Sequence, residues 1–384
     1  MRLLSQKINA LAAKIEWVNF SFIVLTPIAA IAGTVWLVRN HGGPHGATLL
    51  LLGAMMLLTG FGITAGYHRL FSHCSYQANR WVQLLLILFG GASFEGSVRE
   101  WCCAHRKHHR HVDQEKDPYN IRKGFWHAHV LWVILKSDQS DVSNIKDLLS
   151  DRLVRWQDRY YIPLAVAVGF ALPTAIASLW GDPWGGFFIA GVSRVVINHH
   201  LTFLINSYCH FFGKQHYSDR DSARDSWLMA FFTYGEGYHN FHHAFQTDYR
   251  NGVWAYQWDP TKWLINILRG LRLTWDLKRV GPERILAAKL QMDEKRLRMR
   301  TPRYIMLSEE WGQLLAKTRT NIEQVSARFT QLRLEYRQLK KTRMAPMQEK
   351  MLELRHEMRI AKREFKQALA QWRWLCKSRS VIAG

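Results

Sequence analysis

Four long apolar stretches constrain the fold of this chain more than any other feature. They cover roughly residues 19–38, 47–67, 161–180 and 184–205, and Arg39 is the only charged residue between Trp17 and Tyr67. A bilayer core of about 30 Å needs about 20 apolar residues of helix. Each stretch therefore predicts one membrane-spanning helix. Two shorter apolar segments, 81–94 and 125–135, are typical of buried or interfacial helices.

The distribution of basic residues predicts how these helices are arranged. The short loops 40–46 and 181–183 contain no Lys or Arg, whereas loop 68–159 contains 14 and residues 207–384 contain 33. By the positive-inside rule, the spans form two hairpins whose long loop and termini face the cytoplasm. We expect an all-α, multi-pass protein, with the bacterial inner membrane as its location, and a cytoplasmic helical cap.

Nine histidines recur in three closely spaced boxes and one isolated position. The sequence places His68 and His73 in an HxxxxH, His105, His108 and His109 in an HxxHH, and His239, His242 and His243 in another HxxHH; His210 follows the fourth span. All nine fall on the predicted cytoplasmic side. This common location favours a metal site over scattered core or surface histidines.

Helical geometry supports that interpretation. Residues at i, i+3 and i+4 share a helix face, so each HxxHH is expected to direct three imidazoles to one point. His68 and His73 lie about 140° apart on an α-helix, so they converge only where that helix ends or bends. Imidazole suits Fe, Zn, Cu and Ni. Nine imidazoles exceed the needs of one tetrahedral ion, which predicts two metal ions.

Several strings resemble the integral-membrane fatty acid desaturases, and more specifically the acyl-CoA Δ9 (stearoyl-CoA-type) desaturases. They are HRLFSH at 68–73, HRKHH at 105–109, NSYCH at 206–210 and GEGYHNFHH at 235–243. The resemblance covers roughly residues 15–275. It implies a di-iron site held by all nine histidines, with a metal-bound water held by Asn206.

The resemblance also implies a reaction and its participants. O₂ and two electrons would convert a saturated acyl chain, as a thioester such as acyl-CoA, into a cis-unsaturated product. The electrons would come from a separate ferredoxin, rubredoxin or cytochrome b5 type of protein. Arg122, Lys123 and Lys136 would meet the CoA phosphates, or serve only as anchors at the lipid headgroups. Glu100 and Trp101 resemble residues that flank the reactive segment of the acyl chain.

Two other classes of function remain as alternatives. One is another membrane di-iron oxygenase, of the alkane or carotenoid hydroxylase type, which would give an alcohol rather than an alkene. The other is a metal-binding membrane protein without enzymatic activity. The sequence leaves open the chain length, the double-bond position, the head group and the oligomeric state.

Residues 276–384 form a basic extension beyond a membrane domain at 1–275. From Asp276 onward there are 26 Lys and Arg against 12 Asp and Glu. Apolar residues repeat at intervals of three and four on both sides of Ala345-Pro346, which predicts an antiparallel helical hairpin. Its basic faces suit anionic lipid, an electron donor or self-association, or are simply solvated; no nucleic acid partner is expected.

A truncation near Thr301 is expected to keep both metal ions, because the extension carries none of the nine histidines. It should lower turnover or coupling to the electron donor and remove much of the salt dependence of that turnover, since salt screens such contacts over a Debye length of about 8 Å. Metal content and donor kinetics of the truncated protein test this. Loss of the metal ions would instead make the extension a structural part of the site.

Overall fold

The computed structural model describes residues 12–136, 142–300, 309–342 and 348–382. These residues are overwhelmingly helical, which confirms the predicted all-α class. Within the described ranges the paired strands are β1, Gln77–Ala78, and β2, Thr274–Trp275, which run antiparallel with Gln77 opposite Trp275.

Four helices are long and apolar enough to cross a bilayer, as predicted: Trp17–His41, Gly46–Ser72, Tyr161–Ser178 and Pro183–Phe211. In detail they consist of α1 (Trp17–His41); α2 (Gly46–Phe61) with a π-helix (Gly62–Ser72); α8 (Tyr161–Val166), a π-helix (Ala167–Ala171) and α9 (Leu172–Ser178); and α10 (Pro183–Gly185), a π-helix (Gly186–Ser193) and α11 (Arg194–Phe211). The second and fourth helices extend beyond the predicted spans and thereby carry His68 and His210.

Shorter helices complete the described chain. They are α3 (Arg80–Gly91), α4 (Val98–His111), a 3₁₀ turn (Ile121–Lys123), a π-turn (His127–Leu131) with α5 (Trp132–Ile134), a 3₁₀ turn (Ser143–Ile145), α6 (Lys146–Ser150), α7 (Arg152–Arg159), α12 (Trp227–Phe232), α13 (His239–Ala244), α14 (Pro260–Gly270), α15 (Pro282–Arg300), α16 (Glu309–Thr342) and α17 (Gln348–Ile382).

A buried carboxylate joins the two short connections between the membrane helices. Asp182, 6% exposed, accepts hydrogen bonds from the backbone N–H of Gly185 at 2.9 Å and of His45 at 3.0 Å, and from the Thr48 hydroxyl. It therefore caps the start of α10 and fastens the loop before α2 beside it. Both connections consequently lie at the same end of the four helices.

The described residues form two compact units. One comprises residues up to Gln215 together with Asp219–Arg279, and the other comprises His216–Ser218 together with residues from Val280 onward. In the first unit, a core of residues from α3, α4 and the π-helix after α2 includes Ile87, Val98 and Tyr67, all fully buried. This core lies directly behind the histidine-bearing segments.

The second unit contains the long helices of the basic extension. Leu332 of α16 packs with Leu354 and Ala361 of α17, and Ile322 packs with Ala368 and Trp372 further along. Residues later in α16 contact residues earlier in α17, so the two helices are antiparallel. The predicted turn at Ala345-Pro346 lies outside the described residues.

The structure adds a third helix that the predicted two-helix hairpin did not include. Leu290 and Leu297 of α15 are buried in the same cluster as Trp311, Leu315 and the α17 residues. Truncation near Thr301 would remove the partners of these two leucines and expose them. A deletion that begins at Val280 removes the unit as a whole and is therefore the better test of its role.

Gly62 permits the close approach of the second membrane helix to α3. A Cβ at this position would overlap the backbone of Phe89 and Gly90. Neither neighbour can move away like a flexible side chain, because both overlapping groups are main chain. The small residue therefore sets the distance between two helices that surround the histidine site.

Gly62→Ala is expected to destabilise the protein by about 1–3 kcal/mol, the usual cost of overpacking a close interface. Gly53→Ala is the matched control, since a Cβ at Gly53, on the same membrane helix, meets nothing within 4 Å. Thermal unfolding of the two purified variants in detergent measures the difference. Equal unfolding temperatures would show that the α3 contact adjusts without cost.

Candidate metal centre

The C-terminal end of the second membrane helix brings the first two histidines together. This segment, Gly62–Ser72, is π-helical, and the backbone N–H of His73 donates to the carbonyl of His68 at 3.1 Å. That bond spans five residues, the spacing that defines a π-helix. It closes one wide turn between the two histidines, whose ring centroids lie 4.8 Å apart. The predicted departure from α-helical geometry is therefore present here.

Helix α4 supplies the second box. Ser97 begins this helix by accepting a hydrogen bond from the backbone N–H of Glu100, while the Glu100 carboxylate accepts from the Ser97 N–H. Such a capping box satisfies two otherwise unpaired backbone donors and fixes the helix start. The helix then runs without interruption through His111 and presents its histidines from a rigid element.

The nine predicted histidines assemble into two groups. Within each group the ligand nitrogens lie within 4.8 Å of one another; the first group is His68, His73, His105, His109 and His242, and the second is His108, His210, His239 and His243. The groups adjoin each other, since the rings of His109 and His243 lie 4.4 Å apart. The arrangement can hold two neighbouring cations.

The division of the HxxHH boxes differs from the sequence-based expectation. Each box was expected to direct three imidazoles to one point, but the i and i+4 residues join one group and the i+3 residue joins the other. On a helix with 3.6 residues per turn, adjacent residues such as His108 and His109 point about 100° apart. Each box consequently bridges both groups and fixes their separation.

The spacing of the nitrogen atoms fits metal coordination. In the first group, His73 Nε2 lies 2.9 Å from His105 Nε2, and His242 Nε2 lies 3.0 Å from the Nε2 atoms of both His68 and His109. With metal–imidazole bonds of about 2.1 Å, nitrogens about 3.0 Å apart subtend about 90° at the ion, less than the tetrahedral angle of structural zinc.

The second group has the same spacing. His239 Nε2 lies 3.0 Å from His210 Nε2 and 3.1 Å from His243 Nε2. His108 Nε2 is buried and has no hydrogen-bond partner among the described residues. A buried, unpaired ring nitrogen is costly unless another group uses its lone pair. A cation in this group would use it.

The protonation state of the site also fits. Burial, followed by the neighbouring imidazoles, lowers the pKa of His73, His105 and His109 well below the usual range, and lowers the pKa of His239 to about 3. These four imidazoles are therefore neutral at pH 7. A neutral imidazole is the form that binds a metal ion.

Acidic side chains orient the histidines from behind. His68 Nδ1 lies 2.8 Å from a Glu236 carboxylate oxygen, and the Nδ1–H of His108 donates to Asp117 at 2.8 Å. Fixing Nδ1 as the donor leaves Nε2 directed into the site. Burial raises the pKa of Glu236, but the interactions with His68 and Arg69 outweigh it and lower the pKa to about 2.

Two further histidines are held in a similar way, one by Ser222 together with Asp113 and the other by Asp221. His210 Nδ1–H donates to the Ser222 hydroxyl at 2.7 Å, and that hydroxyl donates to Asp113 at 2.6 Å. His243 Nδ1 lies 3.4 Å from an oxygen of Asp221. No spacing rule links Ser222 or Asp221 to distant histidines, so only the fold reveals them.

Among the predicted substrate contacts, Trp101 adjoins the first group. Its ring stacks on His105 at 4.7 Å, and its indole N–H donates to Glu95 at 3.2 Å. Thr202 donates to the other Glu95 oxygen at 2.8 Å. Burial raises the pKa of Glu95 to about 7, although both hydrogen bonds act in the opposite direction. Sequence reasoning missed Glu95 and Thr202.

The other predicted contacts lie at the surface or on helix ends. Glu100 is exposed and engaged in the capping box, while Arg122 and Lys123 are exposed in a 3₁₀ turn, where Lys123 pairs with Glu115 at 3.0 Å. Lys136 is exposed, and its backbone N–H donates to Lys14. Asn206 is half-buried one turn before His210 on α11.

Apolar membrane helices that end in two adjoining histidine groups define a histidine-rich membrane protein with a candidate two-metal site. A family model described as fatty acid desaturase matches residues 44–277. The chain belongs to the fatty acid desaturase family.

Curated relatives agree with this assignment. The chain is 41% identical over 284 residues to the "Probable acyl-CoA desaturase" of Schizosaccharomyces pombe, covering 73% of this chain and 58% of the relative. It is 41% identical to "Acyl-CoA desaturase 1" of Saccharomyces cerevisiae (67% and 50% covered) and 33% identical to "Stearoyl-CoA desaturase 5" of Homo sapiens (72% and 84% covered). The chain thus spans little more than half the length of the two fungal relatives.

Glu95→Gln is expected to change the pH dependence of stability. A carboxyl whose pKa rises from 4.5 to about 7 on folding favours the folded state at low pH, and this contribution is lost as pH rises from 4.5 through 7. As the pH rises from about 5 to about 8, the wild-type unfolding temperature should therefore fall relative to that of the variant. This range covers most of the interval between the two pKa values of Glu95, 4.5 and about 7.

Thermal unfolding across this pH range measures the effect. Glu283→Gln, which removes an exposed carboxylate, is the matched control and should parallel the wild type. Parallel curves for wild type and Glu95→Gln would show that Glu95 keeps an ordinary pKa.

Proposed function

We propose that this protein is an O₂-dependent di-iron acyl desaturase that inserts a cis double bond, at the Δ9 position, into a saturated acyl-CoA. The observation that carries the proposal is the pair of adjoining histidine groups, with nitrogen spacings of about 3 Å. The names of the relatives, acyl-CoA and stearoyl-CoA desaturases, support the substrate class.

Iron is the proposed metal at both positions, held by the nine histidines. Five imidazoles in one group exceed the four ligands of a structural zinc ion, and their spacing corresponds to angles nearer 90° than the tetrahedral value. Iron that activates O₂ supplies the oxidising power for removing hydrogen from an unactivated methylene pair, which no side chain provides. Asn206 is proposed to hold a metal-bound water.

The protein's own residues prepare this chemistry. Glu236 and Asp117 hold His68 and His108 in one tautomer, so that ligand nitrogens are in place before metal binds. Both rings are buried. Trp101, fixed by its hydrogen bond to Glu95 and stacked on His105, forms a rigid wall beside the first group. Such a wall would hold the acyl chain in position, the usual source of regioselectivity.

Charged residues around the site are proposed to receive the head group. Arg122, Lys123 and Lys136 are exposed and carry fixed positive charge suited to the CoA phosphates. Glu100 is proposed to lie near the acyl chain with Trp101.

The electron donor is proposed to be a separate ferredoxin, rubredoxin or cytochrome b5 type of protein. The site and both termini are proposed to face the cytoplasm from a bacterial inner membrane, following the positive-inside rule.

Expression in a cell that lacks its own desaturase tests the reaction. The membrane lipids should gain a cis-monounsaturated acyl chain, and gas chromatography with mass spectrometry locates the double bond. A hydroxylated chain instead would identify a hydroxylase. Unchanged lipids despite a verified donor would contradict the proposed activity.

His108→Ala and His242→Ala are expected to abolish the unsaturated product while leaving the protein in the membrane, because each removes one ligand nitrogen but no apolar span. Protein purified from iron-supplied cells should contain about two irons per chain, and each variant clearly less. His45→Ala is the matched control, since its side chain is exposed in the loop before α2. Wild-type iron content and product from His108→Ala would contradict the assigned ligand set.

A further inference from the structure

The second unit carries an open groove between its two longest helices. The groove encloses about 600 Å³, within the usual range of ligand pockets, about 300–1,000 Å³. Its apolar lining consists of Phe329 and Tyr336 from α16 and Leu352 and Met358 from α17. Leu352 is 63% exposed, whereas the other three are partly buried against the core between the two helices.

Three cations form the remaining wall of the groove. Arg355, Arg359 and Lys362 lie at intervals of four and three residues, which places them on one face of α17. Arg355 donates to the Tyr336 hydroxyl at 2.8 Å and lies over the Tyr336 ring at 5.3 Å. Within the part of the chain that the structure describes, no acidic side chain pairs with any of the three. Their charge is available to an anionic ligand.

We propose that this groove docks the headgroups of anionic phospholipids. An apolar floor beside a row of unpaired cations matches an amphiphile that carries a phosphate and an acyl chain, and basic clusters tethered to a membrane protein are attracted to anionic leaflets. Four membrane helices anchor the chain in a bilayer, so lipid is an anionic partner always available to it. Residues 280–384 lie beyond the family match, which ends at 277, so the groove is an addition to the desaturase domain.

The apolar floor favours lipid over the other acidic partners. An acidic protein or a nucleic acid needs the cations, but an exposed Leu352 adds little to recognition of either. A lipid uses the cations and the apolar lining of the groove together. Its headgroup meets Arg359 and Lys362, and the apolar portion of the lipid covers Leu352. Lipid binding in the groove should therefore depend both on the positive charges and on the apolar surface.

The full-length protein, purified in neutral detergent, provides the test. Native mass spectrometry would measure binding of a short-chain phosphatidylglycerol and of the matching phosphatidylcholine. Wild type should bind the anionic lipid more tightly, and combined Arg355→Gln, Arg359→Gln and Lys362→Gln should weaken that binding at least about tenfold, given the contribution of each basic residue near an anionic headgroup. Leu352→Gln alone should weaken it by a smaller factor.

A matched triple variant controls for net charge. Arg284→Gln, Lys317→Gln and Arg373→Gln remove three exposed charges of the same unit outside the groove and should leave the tightest lipid binding unchanged. Helical content from circular dichroism should be the same in all variants. Equal losses in both triple variants, or binding of both lipids alike by wild type, would overturn the proposal. So would a groove variant that keeps lipid binding but loses binding of an acidic protein or RNA probe.

Discussion

A buried guanidinium holds the membrane helix that carries the first histidine box against residues on either side of the third box. Arg69, 1% exposed, pairs with Glu236 at 2.8 Å and Asp259 at 3.0 Å, and donates to the carbonyl of Tyr249. Glu236 in turn orients His68. Removing one partner of a buried pair leaves an uncompensated charge and costs about 3–5 kcal/mol. The position of His68 and the attachment of residues 236–259 to the second membrane helix therefore depend on the same group of buried charges.

Asp259 shows how far this cluster extends. It accepts from the backbone N–H groups of Asn251, Gly252 and Lys262, so that it caps α14 and also fixes the chain that precedes it. The Lys262 ammonium then donates to the carbonyls of Gly252 and Trp254. The cluster thereby fixes segment 249–262, and Asn251 of that segment donates to Glu236, which lies against His68.

The histidine boxes could be found in the sequence because their spacing is local, and so could the membrane helices. From the sequence, His68 and His73 could be expected to converge only if the helix that carries them ends or bends. The structure meets that condition with a π-helix, whose wide turn no residue pattern in 62–72 specifies. Likewise, α15 joins the basic extension through Leu290 and Leu297, because their buried partners, such as Trp372, lie far along the chain and are decided by packing and not by period.

The sequence by itself determined the all-α class, the four spans and the nine histidines, because hydrophobic length and helical spacing are properties of short segments. Tertiary structure alone decided how the histidines divide, with His109 and His242 in one group and His108 and His243 in the other. It also decided that Ser222 stands behind His210, and that Glu95 meets Trp101 and Thr202. The physical reason is that these contacts join residues from separate elements, whose meeting depends on the packing of the whole domain.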